Sequence, residues 1–197
     1  MPPLDAALAA KLLACFALGA IPFAVVSMWG TGIDITKFGS GNPGFNNVLR
    51  YSKWRSALCL AGDAGKGLLA IWLFHRPGHD SITHAWLFGF AAVLGHCYSP
   101  FLKFNGGKGI ATAAGVMLYL FPKVLLPCVA WYIGLRLVGA KLGWRERGTI
   151  ASLTAGCWFV AALLVLHGWN TAVLGLVLLA FVAFRHKKNF ENMAAAQ

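Results

Sequence analysis

Long apolar runs, parted by short glycine-rich or basic stretches, leave this chain few folds to adopt. Residues 6–29, 54–74, 83–101, 110–138, 151–166 and 172–184 are almost uninterruptedly apolar. A helix needs about 20 such residues to cross the hydrocarbon layer of a bilayer. Inside that layer the backbone must satisfy its own hydrogen bonds, which favours helices for runs of this length. Composition agrees: 58% of the 197 residues are hydrophobic and 12% are charged, with a mean hydropathy of +0.66. So few charges could not cover so much apolar surface in water, which excludes a soluble globular or disordered chain.

Charge then orients the runs. The chain carries 17 Lys and Arg against 6 Asp and Glu, a formal net charge of +11. These cations sit in short loops between apolar runs, so they mark membrane orientation rather than a nucleic-acid surface. Run 110–138 is interrupted by Phe121-Pro122-Lys123. It reads either as one long kinked helix or as two short ones, 110–120 and 124–138. Two helices make seven spans and place thirteen basic residues on one face, leaving only Lys11, Arg76 and Lys123 opposite and Lys66 within a span. One long helix destroys that asymmetry. The expectation is therefore an all-α, seven-span integral membrane domain over residues 1–197, N-terminus outside and C-terminus cytoplasmic. The start, Met1 to Asp5, lacks the basic region of a signal peptide, so the first run is expected to be retained. Cys15, Cys59, Cys97, Cys128 and Cys157 are scattered singly in apolar stretches and read as buried, reduced packing residues; no metal-ligand spacing is present.

Chemistry concentrates in two loops on the basic face. The first holds Gly39, Ser40, Gly41, Asn42, Pro43, Gly44, Phe45, Asn46, Asn47 and Arg50; the second holds Asn105, Gly106, Gly107, Lys108 and Gly109 and opens directly into an apolar run. Glycine lets backbone amides approach a ligand closely, and amides at a helix start form an anion site. Ser40, Arg50 and Lys108 add a hydroxyl and two cations. Together the loops suggest phosphate handling, against the plainer reading of tight turns carrying orienting charge. The Gly39-x-Gly41-x-x-Gly44 match to a dinucleotide fingerprint has no preceding strand and carries no weight. His75 and Asp80 match a His-x-x-x-x-Asp acyltransferase pattern, but on the outer face, where they read as a polar turn. Asp63 and Lys66 lie on one face of a spanning helix, where ionisable groups point to function or to a mutual pair. In the tail, Arg185-His186-Lys187-Lys188-Asn189 exceeds what headgroup binding alone requires. His96, at the end of the third run, reads as structural.

These blocks resemble the bacterial acyl-phosphate-dependent glycerol-3-phosphate acyltransferases, the PlsY family. The resemblance rests on Gly19-Ala20-Ile21-Pro22, the loop 39–50, Gly95-His96-x-x-x-Pro100 running into Gly106-Gly107-Lys108-Gly109-x-Ala111-Thr112, and Arg185-His186-x-x-Asn189. Asp63-x-x-Lys66-Gly67 is a weaker fifth match. It implies transfer of a fatty acyl group from acyl-phosphate to the 1-hydroxyl of sn-glycerol 3-phosphate, giving lysophosphatidic acid and phosphate. It also implies a multi-pass place in the bacterial cell (inner or plasma) membrane among its lipids. No cofactor, metal, acyl-CoA, acyl carrier protein or nucleic acid is implied, and no protein partner is inferable. By the same resemblance Ser40, Arg50 and Lys108 hold phosphate groups and His186 and Asn189 complete the active site. Gly39, Gly41, Asn42, Gly44, Asn47, Gly106, Gly107 and Gly109 shape the substrate-binding loops, and Ser152 matches a family serine near the site. The chain departs from the family pattern at Phe45, Asn46 and Asn105 and after Asn189. The competing readings are a transporter of phosphate-type anions and a non-catalytic relative that binds lipid.

Overall fold

Helix boundaries in this chain fall where proline, glycine or a capping side chain forces them. The computed structural model describes residues 5–195, and every regular element among them is helical. Met1 to Leu4, part of the stretch to Asp5 compared with a signal peptide, and the last two residues of the tail lie outside the described residues. The helices are α1 (Ala6–Ala20), α2 (Phe23–Ser27), α3 (Phe45–Tyr51), α4 (Lys53–Phe74), α5 (Ile82–Cys97), α6 (Ile110–Leu120), α7 (Pro122–Lys141), α8 (Arg147–His167), α9 (Trp169–Phe184) and α10 (Lys187–Ala194), with a 3-10 turn at Pro100–Leu102. Asp5 starts α1 by accepting the Leu8 amide at 2.7 Å. Pro22 separates α1 from α2, and Phe121-Pro122 separates α6 from α7. Gly168, at φ +81°, turns the chain between α8 and α9.

The break at Phe121 selects the two-helix reading of run 110–138, with the second helix extending to Lys141. The span count is smaller than seven by length alone. Ala6–Ser27, Lys53–Phe74, Ile82–Leu102, Pro122–Lys141 and Arg147–His167 are each long and apolar enough to cross a membrane. Trp169–Phe184 and Lys187–Ala194, bent by 55°, make a sixth if taken together. The 11 residues of α6 rise only about 16 Å, roughly half the hydrocarbon thickness. The shortfall is legible in the sequence, where the Phe121-Pro122-Lys123 interruption leaves residues 110–120 below the spanning length.

The chain divides into two units, one ending at Leu120 and the other beginning at Phe121. The first is packed at backbone range. A Cβ on Gly19 of α1 would strike the Ala92 carbonyl of α5, and one on Gly95 of α5 would strike the Phe16 carbonyl of α1. Gly67 of α4 and Gly115 of α6 make the same reciprocal pair, against the carbonyls of Thr112 and Ala64. Small residues at helix crossings provide the association that hydrophobic burial cannot supply between helices in lipid. In the second unit α7 packs on α8 and α8 on α9, with Trp131 meeting Trp158 and Phe121 meeting Phe159 and His167. Both units turn apolar side chains outward: Leu13 is 69% exposed, Trp72 63% and Val165 83%. Such surfaces suit lipid and not water. Cys157 belongs to this outer surface and is exposed, unlike the other four cysteines, which are buried as expected. An apolar outward position costs a cysteine nothing in lipid.

Candidate functional site

The loop before α3 is built around one amide. Asn47 is 1% exposed. Its Nδ2 donates to the carbonyls of Ile35 at 3.1 Å and Phe38 at 2.8 Å. Its Oδ1 accepts the Ser40 amide at 3.0 Å and an Arg50 guanidinium N–H at 3.3 Å. One buried side chain thereby fixes both residues expected to hold phosphate, and both of them remain exposed. Gly39, at φ +57°, sits where a Cβ would collide with Asn47 Oδ1, so this turn needs glycine for conformation and for space. Gly41, at φ +70°, continues the turn. Asn42 donates its amide toward Ser40 Oγ at 3.4 Å, and Gly44 is the extended residue at which α3 starts.

The second loop is held differently. The Gly106 amide donates to the Cys97 carbonyl at 3.0 Å and the Gly107 amide to the His96 carbonyl at 3.2 Å. These two amides therefore close the C-terminus of α5, which corrects the expectation that they turn toward an anion. A helix end needs partners for its last carbonyls, and this loop supplies them. Gly106 and Gly107 are buried, Lys108 is half-buried, and Gly109 at φ +88° leads into α6 at Ile110. The first-turn amides of α6 follow directly after the Lys108 cation.

Under these loops lies a polar cluster. Asp63 and Lys66 do pair, Nζ to Oδ1 at 2.8 Å, each about 2% exposed. They are not alone. His96 Nδ1 lies 3.3 Å from the same Asp63 oxygen, and Cys59 Sγ donates to Asp63 Oδ2 at 3.6 Å. Lys66 also donates to the Ile21 carbonyl at 2.7 Å, and Ser99 Oγ to the Ala20 carbonyl at 2.6 Å. Pro22 has no amide hydrogen to continue α1, so carbonyls at this break need partners from elsewhere. The part played by His96 and Ser99 was not visible in the sequence. The break at Pro22 was equally hidden, inside the apolar run 6–29.

In the second unit, His186 is 1% exposed and starts α10 at the bend after α9. Its Nδ1 lies 2.7 Å from the Val182 carbonyl. A carbonyl only accepts, so Nδ1 carries a proton and a neutral ring places its lone pair on Nε2. The Asn189 amide donates to the His186 carbonyl at 2.8 Å, setting both side chains within one helical turn. Asn189 Nδ2 donates to Glu146 Oε2 at 2.5 Å, and the same oxygen accepts Thr149 Oγ1 at 3.2 Å. Glu146 was missed in the sequence reading, since a lone carboxylate in a basic loop gives no spacing signal. Ser152 Oγ donates to the Thr149 carbonyl at 3.0 Å, one turn along the same helix.

His75 and Asp80 form the polar turn expected of them. Asp80 Oδ2 accepts the Arg76 amide at 2.8 Å, while His75 Nδ1 meets the Tyr119 hydroxyl at 3.2 Å. The Arg76 N–H holds the Asp80 carboxyl below its ordinary range. Among the described residues no three His, Cys, Asp or Glu side chains gather as metal ligands.

The sequence model of the family described as "Glycerol-3-phosphate acyltransferase" matches residues 9–196. A glycerol-3-phosphate acyltransferase of Laribacter hongkongensis is 35% identical over 191 residues, covering 94% of this chain and 92% of its own length. One from Pseudomonas paraeruginosa is 38% identical over 188 residues, covering 92% and 93%. Two crystal structures of PlsY, an integral membrane glycerol 3-phosphate acyltransferase, are similar at 31% identity, covering 96% of this chain and 93% of theirs. The glycerol 3-phosphate form superposes with a TM-score of 0.81 and the lysophosphatidic acid form with 0.82.

Proposed function

We propose, from the premise that this chain belongs to the glycerol-3-phosphate acyltransferase family, that it moves an acyl group from acyl-phosphate to the 1-hydroxyl of sn-glycerol 3-phosphate. The observation that carries the reading is the Asn47 hub, which presents the Ser40 hydroxyl and the Arg50 cation together from one rigid turn. Ser40, Arg50 and Lys108 hold phosphate groups; Gly39, Gly41, Asn42 and Gly44 shape the first loop, and Gly106, Gly107 and Gly109 the second. His186 and Asn189 act in the same reaction, and Ser152 contributes to substrate binding. The chain works as one catalytic domain of seven membrane segments, α6 being a partial one, with its N-terminus outside and its C-terminus and glycine loops cytoplasmic. The charge asymmetry of the loops supports that orientation.

Acyl-phosphate is a mixed anhydride, so its phosphate departs without strong acid assistance. The glycerol hydroxyl oxygen bonds to the acyl carbon, the carbon–oxygen bond to phosphate breaks, and inorganic phosphate leaves. The hydroxyl proton passes to His186 Nε2 or to a phosphate oxygen of the bound substrate. Holding the two reactants in register is worth roughly 7–11 kcal/mol in favourable cases. Each donor aimed at the developing oxyanion adds about 2.7–4 kcal/mol. The glycine turns supply the register, the cations and the first-turn amides of α6 supply the donors, and transfer is direct, with no acyl-enzyme.

Purified protein given acyl-phosphate and glycerol 3-phosphate should release lysophosphatidic acid and stoichiometric phosphate, read by mass spectrometry and a phosphate assay. A folded protein that forms no product, or a trapped acyl-Ser40 species, overturns respectively the activity and the direct route. Impermeant labelling of single cysteines placed in the regions of Ser40, Lys108 and His186 should find all three regions on the same side of the membrane.

A further inference from the structure

Asp63 bridges two neighbours that lead in opposite directions. Toward the outside of the cluster, Lys66 holds the Ile21 carbonyl at the Pro22 break, its ammonium 5.8 Å from the centre of the Phe23 ring. Toward the loops, His96 presents its other ring edge to the second glycine turn. A Cβ on Gly107 would collide with His96 Nε2, and the Pro43 carbonyl borders the same point at 3.1 Å. His96 therefore touches the turn twice, through its carbonyl on the Gly107 amide and through its ring on the Gly107 α-carbon. It does so at the place where the first glycine loop comes alongside.

A self-contained Asp63–Lys66 pair would need neither contact. Both partners are about 2% exposed, and His96 is 7% exposed, so this side-chain geometry is fixed by the surrounding backbone rather than by solvent. The imidazole has one edge on a buried carboxylate and the other on the residue preceding Lys108. Rotating the ring would displace Gly107, and with it the Lys108 stem.

We propose that His96, held by Asp63, is a positioning residue for acyl transfer: its ring sets the Gly107 turn and thereby aims Lys108 at a substrate phosphate. The inference rests on the function proposed above. Neither Asp63 nor His96 touches substrate in this account. A positioning role predicts weakened capture of glycerol 3-phosphate more than a slower chemical step.

The test compares wild type, His96→Ala, His96→Asn and His96→Gln by KM for glycerol 3-phosphate, kcat and thermal midpoint. Asn keeps a donor where Nδ1 meets Asp63; Gln reaches the Nε2 edge against Gly107. We expect Ala and Asn to raise KM at least tenfold with kcat changed less than threefold, and Gln to return KM to within about threefold of wild type. Equal impairment of all three in step with lost thermal stability marks a merely structural histidine and overturns the proposal, as does an unchanged KM in His96→Ala. Should the single variants not fold, Gly107→Ala and the double variant Gly107→Ala/His96→Ala decide. The double variant should be the more active, since the collision is gone, and an equal or greater loss overturns the proposal. A wild type that makes no lysophosphatidic acid removes the functional reading itself, and this inference with it. An active wild type with indifferent variants removes the inference alone.

Discussion

The two glycine-rich loops reach similar ends by opposite means. In the first, a side chain governs the backbone: four hydrogen bonds converge on Asn47, and Ser40 and Arg50 follow from it. In the second, backbone governs backbone: the Gly106 and Gly107 amides are tied to the last carbonyls of α5, with the His96 ring beneath. The first loop therefore depends on the identity of one residue. The second depends on the absence of side chains at two. A side-chain hub is sensitive to chemistry, while a main-chain seam is sensitive to volume.

That contrast can be broken or sharpened by substitution. The largest effect should come from Lys108→Ala, which removes a cation without disturbing either scaffold. The kcat/KM for glycerol 3-phosphate should fall about 150-fold, mostly through KM, the scale of losing a hydrogen bond to a charged group, with an unchanged thermal midpoint. An unaltered kcat/KM would take Lys108 out of the site. Next comes Gly106→Ala, whose methyl would enter the His96 carbonyl. Activity should fall about 100-fold, the scale of a misplacement near 1 Å, and Gly106→Ser should behave no better, since volume and not polarity is at fault. Asn47→Ala leaves the buried Ile35 carbonyl, at about 1–3 kcal/mol, and the half-buried Phe38 carbonyl without their donor. Its thermal midpoint should drop, and Asn47→Asp, which keeps the acceptor but loses Nδ2–H, should be no milder. An Asn47→Asp protein with wild-type stability would dissolve the hub argument. The smallest effect should come from Asn105→Lys, at an exposed position beside the main-chain seam. Its turnover should stay within about twofold, because surface changes away from such features lie within roughly 0.5 kcal/mol.

Much of this was readable beforehand where a residue type has one physical use. Pro122 marked a break and the apolar runs marked helices, whereas the break at Pro22 lay hidden inside the run 6–29. The buried pair of Asp63 and Lys66 was visible from their spacing of three. His96 was not assigned to that pair, because its partner lies thirty-three positions earlier and no periodicity links α4 to α5. Glu146 escaped for the same reason, its bond to Asn189 spanning forty-three positions. The amides of Gly106 and Gly107 misled in another way. Glycine near a helix start suggests an anion cradle, yet the preceding helix claims the same donors when its own end lacks a cap. Which of two neighbouring helices wins an amide is a tertiary matter.

The reciprocal glycine contact between α4 and α6 fixes more than a distance. Asp63, Lys66 and Gly67 occupy one stripe of α4, with Gly67 against α6 and Asp63 facing α5. A single residue inserted between Phe23's neighbour Gly62 and Gly67 would rotate part of that stripe by about 100°. Charges would then face lipid while a bulkier residue met the Thr112 carbonyl. This stretch of helix can change in letters but not in length, and its register is inherited whole.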